Sequence, residues 1–464
     1  MANTLRIVPV GGGPGMVTNN MYVYEWGNDA IIVDCGIGFP DDKVSDDITI
    51  PDISYLKEKR LNIRGVVLTH GHDDHMAALP HILPQIGFTP VYGSALTAGF
   101  AEDRLNNFDI NQKIHVFKET DRLTLGPFTI DPVFVTHSVP DTYHLAIGTP
   151  LGLIYHGSDF KFDLTPIDGR RPNFKKIVTV AKNGVLCLLS DSLRSERAGF
   201  TPSESTLTIA IDRELRNCPG RLIFTTMSSQ IHRIQQAIDV AYAHGRQVMF
   251  IGRSMERNVA TARRLGYLKM SQKQEANKKN FNKIPDHQIC LIVAGSQGQE
   301  SSSLTRYASG THKMIKIRPN DKIIYSTDII PGNEQLVYEV IDQLTKQNLI
   351  VVYGDLADDL HVSGHASAGE MQLLMELTDP QYLYPIGGSF RHLNRYRQLA
   401  LGQGFRGDQV IIPKTAQVVE FDSSGHYRLG EVLALKPVRL NQNSSYNNGY
   451  GKKKKFKGQK KTSF

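Results

Sequence analysis

With 464 residues, 40% of them apolar and 21% charged, the chain is too long for one simple core, so two domains or one with a large insertion are expected. No apolar run reaches the length of a membrane span, which excludes a helical membrane protein, and MANTLRIVPVGGG lacks the segments of a secretory signal. Of 53 lysines and arginines, seven are lysines within residues 441–464, a segment without acids; the rest match the 46 acidic residues, so the basic excess describes the tail and not a general nucleic-acid surface.

In chain order, MYVYEWGNDAIIVDCG reads as two strands joined by a Gly-Asn-Asp turn, with Asp34 where the second run meets Gly36. RGVVLTH is a third strand ending at His70, and MAALPHILPQIG is a short helix leaving the loop that follows. HLAIGTPLGLIYHGSDF is a further hairpin, with Asp159 after its second strand. From about Ser205 the texture becomes strand, loop and helix in alternation: RLIFTT, QVMFIG, CLIVAG and KIIYST each run into a polar loop and a helical segment. That order implies right-handed crossovers and a parallel sheet with its functional loops at the strand C-termini. After His361 loops, a helix and short strands return up to about Leu440, and the polar, lysine-rich residues 441–464 are expected to be disordered. The expected division is therefore 1–204, 205–360, 361–440 and the tail 441–464. Cys35, Cys187, Cys218 and Cys290 are scattered, mostly in apolar surroundings, and read as reduced core residues of a cytoplasmic protein.

The densest chemistry is LTHGHDDHMAALP, Leu68 to Pro80, where His70, His72, Asp74 and His75 crowd onto one tight loop behind an apolar strand. Imidazole and carboxylate donors suit zinc, and ligands this close can divide between two ions. Such a pair of ions makes hydroxide at neutral pH and neutralises charge on a phosphoryl group under attack. THSVPD adds His137 and HGSDFKFD adds Asp159, each on a loop after an expected strand. The bland alternative, surface or structural histidines, does not account for so compact a cluster with matched partners downstream. Asp34 alone is an ordinary turn residue; its functional reading is a carboxylate that orients a ligating histidine or the metal-bound water. His115, His156 and His312 have no partner motif and are read as ordinary histidines. Ser228 and Ser229 precede a helix starting near Gln230, and Arg253 and Ser254 precede one starting near Met255. Hydroxyls and free backbone N–H groups at helix N-termini form a natural anion site, although such serines are commonly only caps.

HGHDDH with upstream VDCG and downstream THSVPD and GSDFKFD resembles the metallo-β-lactamase fold. LLSDSLRSERAGFTPSE, SSQIHRIQQAID, GRSMERN, AGSQGQ, PGNE and HVSGHAS resemble the β-CASP insertion of the ribonuclease J family, in order from about Leu5 to Leu440. The resemblance implies an α/β chain: a metallo-β-lactamase αββα sandwich interrupted by a β-CASP domain with a parallel sheet, with RNA threaded between the two. It implies zinc-dependent hydrolysis of RNA, 5′-to-3′ from a 5′-monophosphate end, internally, or both, in RNA processing and decay. By motif, His70, His72 and His137 would hold one zinc, Asp74 and His75 a second, and Asp159 would bridge. Asp74 would orient the attacking hydroxide, and Asp191 in SDS and His365 in SGHA would be the β-CASP acid and a proton-donating or phosphate-contacting histidine. Ser228, Ser229, Arg253, Ser254 and His361 would join His365 in binding substrate. The plainer alternatives are that Asp191 caps a turn and His365 sits in a helix start.

Two departures stand out. The family follows SGH with Pro-x-His-Gly-Glu, whose histidine completes the second zinc site; here YPIGGSFRHL places Gly387 at the histidine and Ser389 at the glutamate. The second ion, as zinc with added water, Mn2+ or Mg2+, is expected to be loosely held, or the centre to run on one metal. The family's usual C-terminal domain is also expected to be absent, replaced by a tail that attracts RNA. The competing readings are a weakly active or inactive RNA-binding paralogue serving a degradation complex, and a small-molecule metallohydrolase. The assembly expected is a homodimer or an RNA-degradation complex, with no membrane partner.

Overall fold

The computed structural model describes residues 4–40, 47–216, 218–330 and 332–440. The expected disorder of the tail and its attraction for RNA concern residues outside these. Two sheets lie face to face. The first has eight strands in the order Tyr427–Val432, Gln417–Phe421, Leu5–Gly11, Met21–Trp26, Asp29–Val33, Asn62–Val67, Val91–Gly93 and His115–Val116. The second has six, ordered Pro380–Ile386, Val185–Asp191, Gly152–Gly157, Thr142–Thr149, Phe128–Val135 and Leu123–Leu125. Alternation along each strand builds the layers. Leu5, Ile7, Ile31 and Val33 meet Leu145, Ile147, Ile154 and Leu189 in the core between the sheets, whereas Val8, Val10, Ala30 and Ile32 face the opposite way. Helices cover both outer faces. Phe174–Ala181, Ala368–Thr378 and Phe390–Gly402 pack on the six-stranded sheet, and Ala95–Asn106 on the eight-stranded one.

A separate five-stranded sheet, ordered Gln247–Ile251, Ile289–Val293, Leu222–Thr225, Lys322–Tyr325 and Ile350–Val352, is parallel throughout, as the strand and helix alternation predicts. Its helix Arg253–Arg264 lies against Ala95–Asn106: Thr261 Oγ1 donates to Asp103, and Gly99 leaves room for the Thr261 methyl. Where the chain passes between the two bodies it is tied by a buried ionic cluster. Arg233 donates to both oxygens of Glu204 at 2.8 and 3.1 Å, to Ser326 O at 2.8 Å and to Val362 O at 2.9 Å. Lys161 sits 3.8 Å from both Glu204 and Asp163.

All four cysteines are buried and free, as expected of core residues. Among the described residues no helix is long and apolar enough to cross a membrane.

Candidate metal centre

Six segments bring their C-terminal ends to one edge of the sandwich, and all but one carry a polar side chain there. Asp34 follows Asp29–Val33, Thr69 and His70 follow Asn62–Val67, His137 follows Phe128–Val135, and Asp159 follows Gly152–Gly157. Asp191 ends Val185–Asp191, and Gly387 follows Pro380–Ile386. The pairings force this convergence, because Asp29–Val33 runs parallel to Asn62–Val67, and Gly152–Gly157, Val185–Asp191 and Pro380–Ile386 are mutually parallel.

The sequence places His70 to His75 on one loop, but the structure corrects this. His72 is the N-cap of a helical turn, Asp73–Met76, so Asp74 and His75 are helical. No local signal marks so short a turn; tertiary bonds hold it. Asn20 N donates to Asp74 O at 3.0 Å, Cys35 N to His75 O at 2.7 Å and Ile37 N to Asp73 O at 3.1 Å. Gly36 is required beneath it, since a Cβ there would lie 1.5 Å from Asp74 O.

Three imidazole nitrogens face one another. His70 Nε2 and His137 Nε2 each lie 3.1 Å from His72 Nδ1. Tetrahedral nitrogens held at about 2.0–2.1 Å from a zinc ion would stand roughly 3.3 Å apart, so the spacing fits a cation. The remaining nitrogens of two rings are occupied. His137 Nδ1 donates to Gly364 O at 2.7 Å, and His70 Nδ1 lies 3.0 Å from Thr69 Oγ1. Burial pushes His70 and His137 well below the ordinary histidine value and His72 down to about 4, leaving neutral imidazoles, the form that could bind a cation. Asp159 Oδ2 is central to the group: 3.7 Å from His70 Nε2, 3.8 Å from His137 Nε2, 3.2 Å from His75 Nε2 and 3.9 Å from His365 Nε2. Burial disfavours its charge, yet His75 and His365 hold it well below the usual carboxylate range.

Asp74, His75 and Asp159 form a second group of ligand atoms close enough to share an ion, and Asp159, Asp191 and His365 a third. Asp34 does what its position suggests: its Oδ2 accepts from His75 Nδ1 at 2.7 Å, directing Nε2 to the cluster, while its Oδ1 accepts from Thr69 N at 2.8 Å. Burial opposes charge on His75, but Asp159, Asp74 and Asp34 outweigh it and raise that imidazole well above its ordinary value. A cation at His75 Nε2 would therefore have to displace a proton.

Asp191 both caps a turn, accepting from Leu193 N at 2.9 Å, and binds His365 Nδ1 through its other oxygen at 2.8 Å. His365 precedes the N-cap of Ala368–Thr378 and is not in the helix start. Burial opposes its charge, yet Asp191 and Asp159 raise it to about 9.

The remaining expected residues are placed elsewhere. Ser228 Oγ accepts from Asn258 Nδ2 at 3.0 Å, and Ser229 precedes the helix Ile231–Ala243. Arg253 and Ser254 are exposed and lie within the first turn of Arg253–Arg264, so the helix begins two residues earlier than expected. His361 bridges Arg233 at 2.9 Å and Asp328 at 3.1 Å within the ionic cluster between the bodies. His156 is a core residue, its Nδ1 2.6 Å from Tyr24 Oη. Gly387 has φ +69°, and a Cβ there would meet only Asp191 Oδ1, 3.7 Å away. His392 turns its Nδ1 to Ser389 at 3.2 Å and its Nε2 towards Glu196 at 3.5 Å, a helix-capping role that supplies no replacement ligand. Sequence reasoning missed Asn20 and Thr69, both of which contact site residues. Asparagine and threonine at a strand boundary carry no ligand signal beyond turn and cap chemistry.

Fold and site together define a metallo-β-lactamase body carrying a β-CASP domain, with a buried His and Asp cluster able to hold a divalent metal. Residues 14–167 match the metallo-beta-lactamase superfamily model, and residues 219–344 match the model for the ribonuclease J beta-CASP domain. The chain is 37% identical to Ribonuclease J of Synechocystis sp. over 90% of its own length and 65% of that protein's. It is 36% identical to Ribonuclease J of Helicobacter pylori over 95% and 64%, and 37% identical to that of Thermus thermophilus over 92% and 76%. The chain belongs to the ribonuclease J family and spans about two thirds of the length of the Synechocystis and Helicobacter relatives. A crystal structure of a protein of unknown function from Enterococcus faecalis shares the fold, with a TM-score of 0.59 at 15% identity, covering 90% of this chain and all of that one.

Proposed function

We propose that this protein is a metal-dependent ribonuclease that hydrolyses RNA phosphodiesters as a 5′-to-3′ exonuclease, an endonuclease, or both, in RNA processing and decay. The observation that carries it is the meeting of His70, His72 and His137 nitrogens at 3.1 Å beside Asp159, with the Asp191–His365 pair on the same carboxylate. Zinc is the metal that such nitrogen donors favour at the first position, with Zn2+, Mn2+ or Mg2+ at Asp74, His75 and Asp159. When bound, the ions supply a nucleophile at neutral pH and neutralise charge on the phosphoryl group.

The chain's own residues do the rest. Asp34 fixes the His75 ring, and Gly364 O fixes that of His137. Asp74 is the half-exposed carboxylate of the group, placed to orient the attacking water. His365 holds a proton at Nε2, supported at Nδ1 by Asp191, and delivers it to the leaving 3′ oxygen, leaving a 5′-phosphate on the downstream fragment. Ser228, Ser229, Arg253 and Ser254 are proposed to bind the RNA 5′-phosphate, because free N–H groups at the two helix starts favour an anion. His361, held between Arg233 and Asp328, is proposed to act at the mouth between the bodies. We divide the chain at 204/205 and 360/361, which assigns the whole parallel sheet to the inserted domain.

Gly387 favours a second reading, an RNA-binding subunit of a degradation complex with little catalysis; the complete first ligand set opposes it. Digestion of 5′-monophosphate RNA by metal-stripped and reloaded protein separates them. Cleavage restored by zinc is expected; binding without cleavage in any metal would refute the enzyme reading.

A further inference from the structure

Asp74, His75 and Asp159 offer a second ion only three protein atoms, and Gly387 adds none. A neutral side chain nevertheless reaches the same place from the eight-stranded sheet. Asn20, one residue before Met21–Trp26, is 4% exposed, and the end of its amide lies 3.0 Å from His75 Nε2 and 3.4 Å from Asp74 Oδ2. The group presented there is Nδ2, which also donates to Asp74 O at 3.3 Å, while Oδ1 lies beside the backbone of Gly12. A cation held by Asp74, His75 and Asp159 would repel this N–H2 group and attract the amide oxygen. The two ends of a primary amide are nearly equal in size, so a half-turn about the Cβ–Cγ bond exchanges them. The Asn20 backbone stays anchored, its N–H on Asp74 O and its carbonyl accepting from Gly36 N, both at 3.0 Å.

We infer that Asn20 is the fourth protein ligand of the second metal ion, turning its side-chain oxygen into the place where Gly387 contributes no donor. This rests on the proposed metal centre and deepens it: the second site is an Asp, His, Asp and Asn set, richer in oxygen than the first. Hard or borderline cations, Mn2+ and Mg2+ as well as Zn2+, fit such donors. The turn gives up the Nδ2 contacts to Asp74 O at 3.3 Å, Asp74 Oδ2 at 3.4 Å and His75 Nε2 at 3.0 Å, the last two at atoms the cation would itself engage.

Asn20→Ala and Asn20→Asp distinguish the oxygen from the N–H. Full-length protein is stripped and titrated with Zn2+ and with Mn2+ against a competing chelator, and bound metal per chain is counted by mass spectrometry. The first ion, held by His70, His72 and His137, is the internal control for an intact fold. N20A is expected to retain it and to bind the second ion roughly tenfold or more weakly. N20D is expected to bind the second ion at least as tightly as the parent, since aspartate keeps an oxygen and lacks the N–H. An unchanged second ion in N20A, or equal loss in N20A and N20D, overturns the assignment while leaving the first site and the ribonuclease reading standing. A parent protein that binds no second ion overturns it too. A crystal structure of the Mn2+-loaded parent gives the direct readout: Oδ1 coordinated to the ion supports the inference, and Nδ2 still facing the site refutes it.

Discussion

Asp34 is the point at which the smallest change should do the most to the second metal. Its Oδ2 accepts from His75 Nδ1 at 2.7 Å and Thr69 Oγ1 at 2.8 Å, and its Oδ1 accepts from Thr69 N at 2.8 Å. Asp34→Asn preserves shape, and asparagine tolerates the backbone φ of +63° found here. One amide oxygen cannot serve both ends, however. Either Thr69 N–H or His75 Nδ1–H then faces an N–H2 group in a dry interior, at a cost of about 1–3 kcal/mol. The histidine can escape by moving its proton to Nε2, which removes the lone pair a metal needs. Loss of such an orienting carboxylate costs about 10–100-fold in metal affinity, or about 1.4–2.8 kcal/mol. Chelator competition should show the second ion weakened by that factor with the first largely retained, and thermal unfolding of the metal-free protein should show a lower Tm. Equal affinity for both ions in D34N and parent would refute the claim that Asp34 sets the His75 tautomer.

Other substitutions probe the frame. Gly387→Ala should cost about 1–2 kcal/mol, because φ +69° is a glycine conformation, and Gly387→His for the same reason should not simply rebuild a ligand; denaturant midpoints and metal counts check both. Glu204→Gln should cost about 3 kcal/mol at neutral pH by stripping Arg233 and Lys161 of a buried partner. Burial opposes the Glu204 charge, but Arg233 and Lys161 outweigh it and lower its pKa below the ordinary 4.5. Its contribution is therefore present above that value and lost as pH falls through the lowered one, so parent and E204Q stabilities should converge in acid. A gap that stays constant down the acid limb would count against this.

The parallel sheet was legible because RLIFTT, QVMFIG, CLIVAG and KIIYST alternate with helical stretches, and parallel pairing follows from that order. The candidate cluster was legible for a different reason: three histidines and two aspartates in six positions have few uses other than chemistry. The helical turn Asp73–Met76 was not, because Asn20, Cys35 and Ile37 hold it from distant parts of the chain. Asn20 itself gave no signal, and neither did the ionic cluster, whose partners Glu204 and Arg233 lie 29 residues apart. His361 illustrates the same limit: its motif suggests substrate, while in the fold it bridges Arg233 and Asp328, a contact that only the packed domains reveal.

In the proposed mechanism this cluster cuts RNA with His365 as the proton donor. The most direct test is digestion of 5′-monophosphate and 5′-triphosphate RNA by zinc-reconstituted parent and His365→Ala proteins, with bound metal counted in each. Metal-dependent cleavage by the parent is expected, faster on the monophosphate end, with cleavage by H365A at least about a hundredfold slower, as loss of a general acid implies, and its metal content unchanged. Equal cleavage by parent and H365A, or none by a parent carrying its full metal complement, would contradict it.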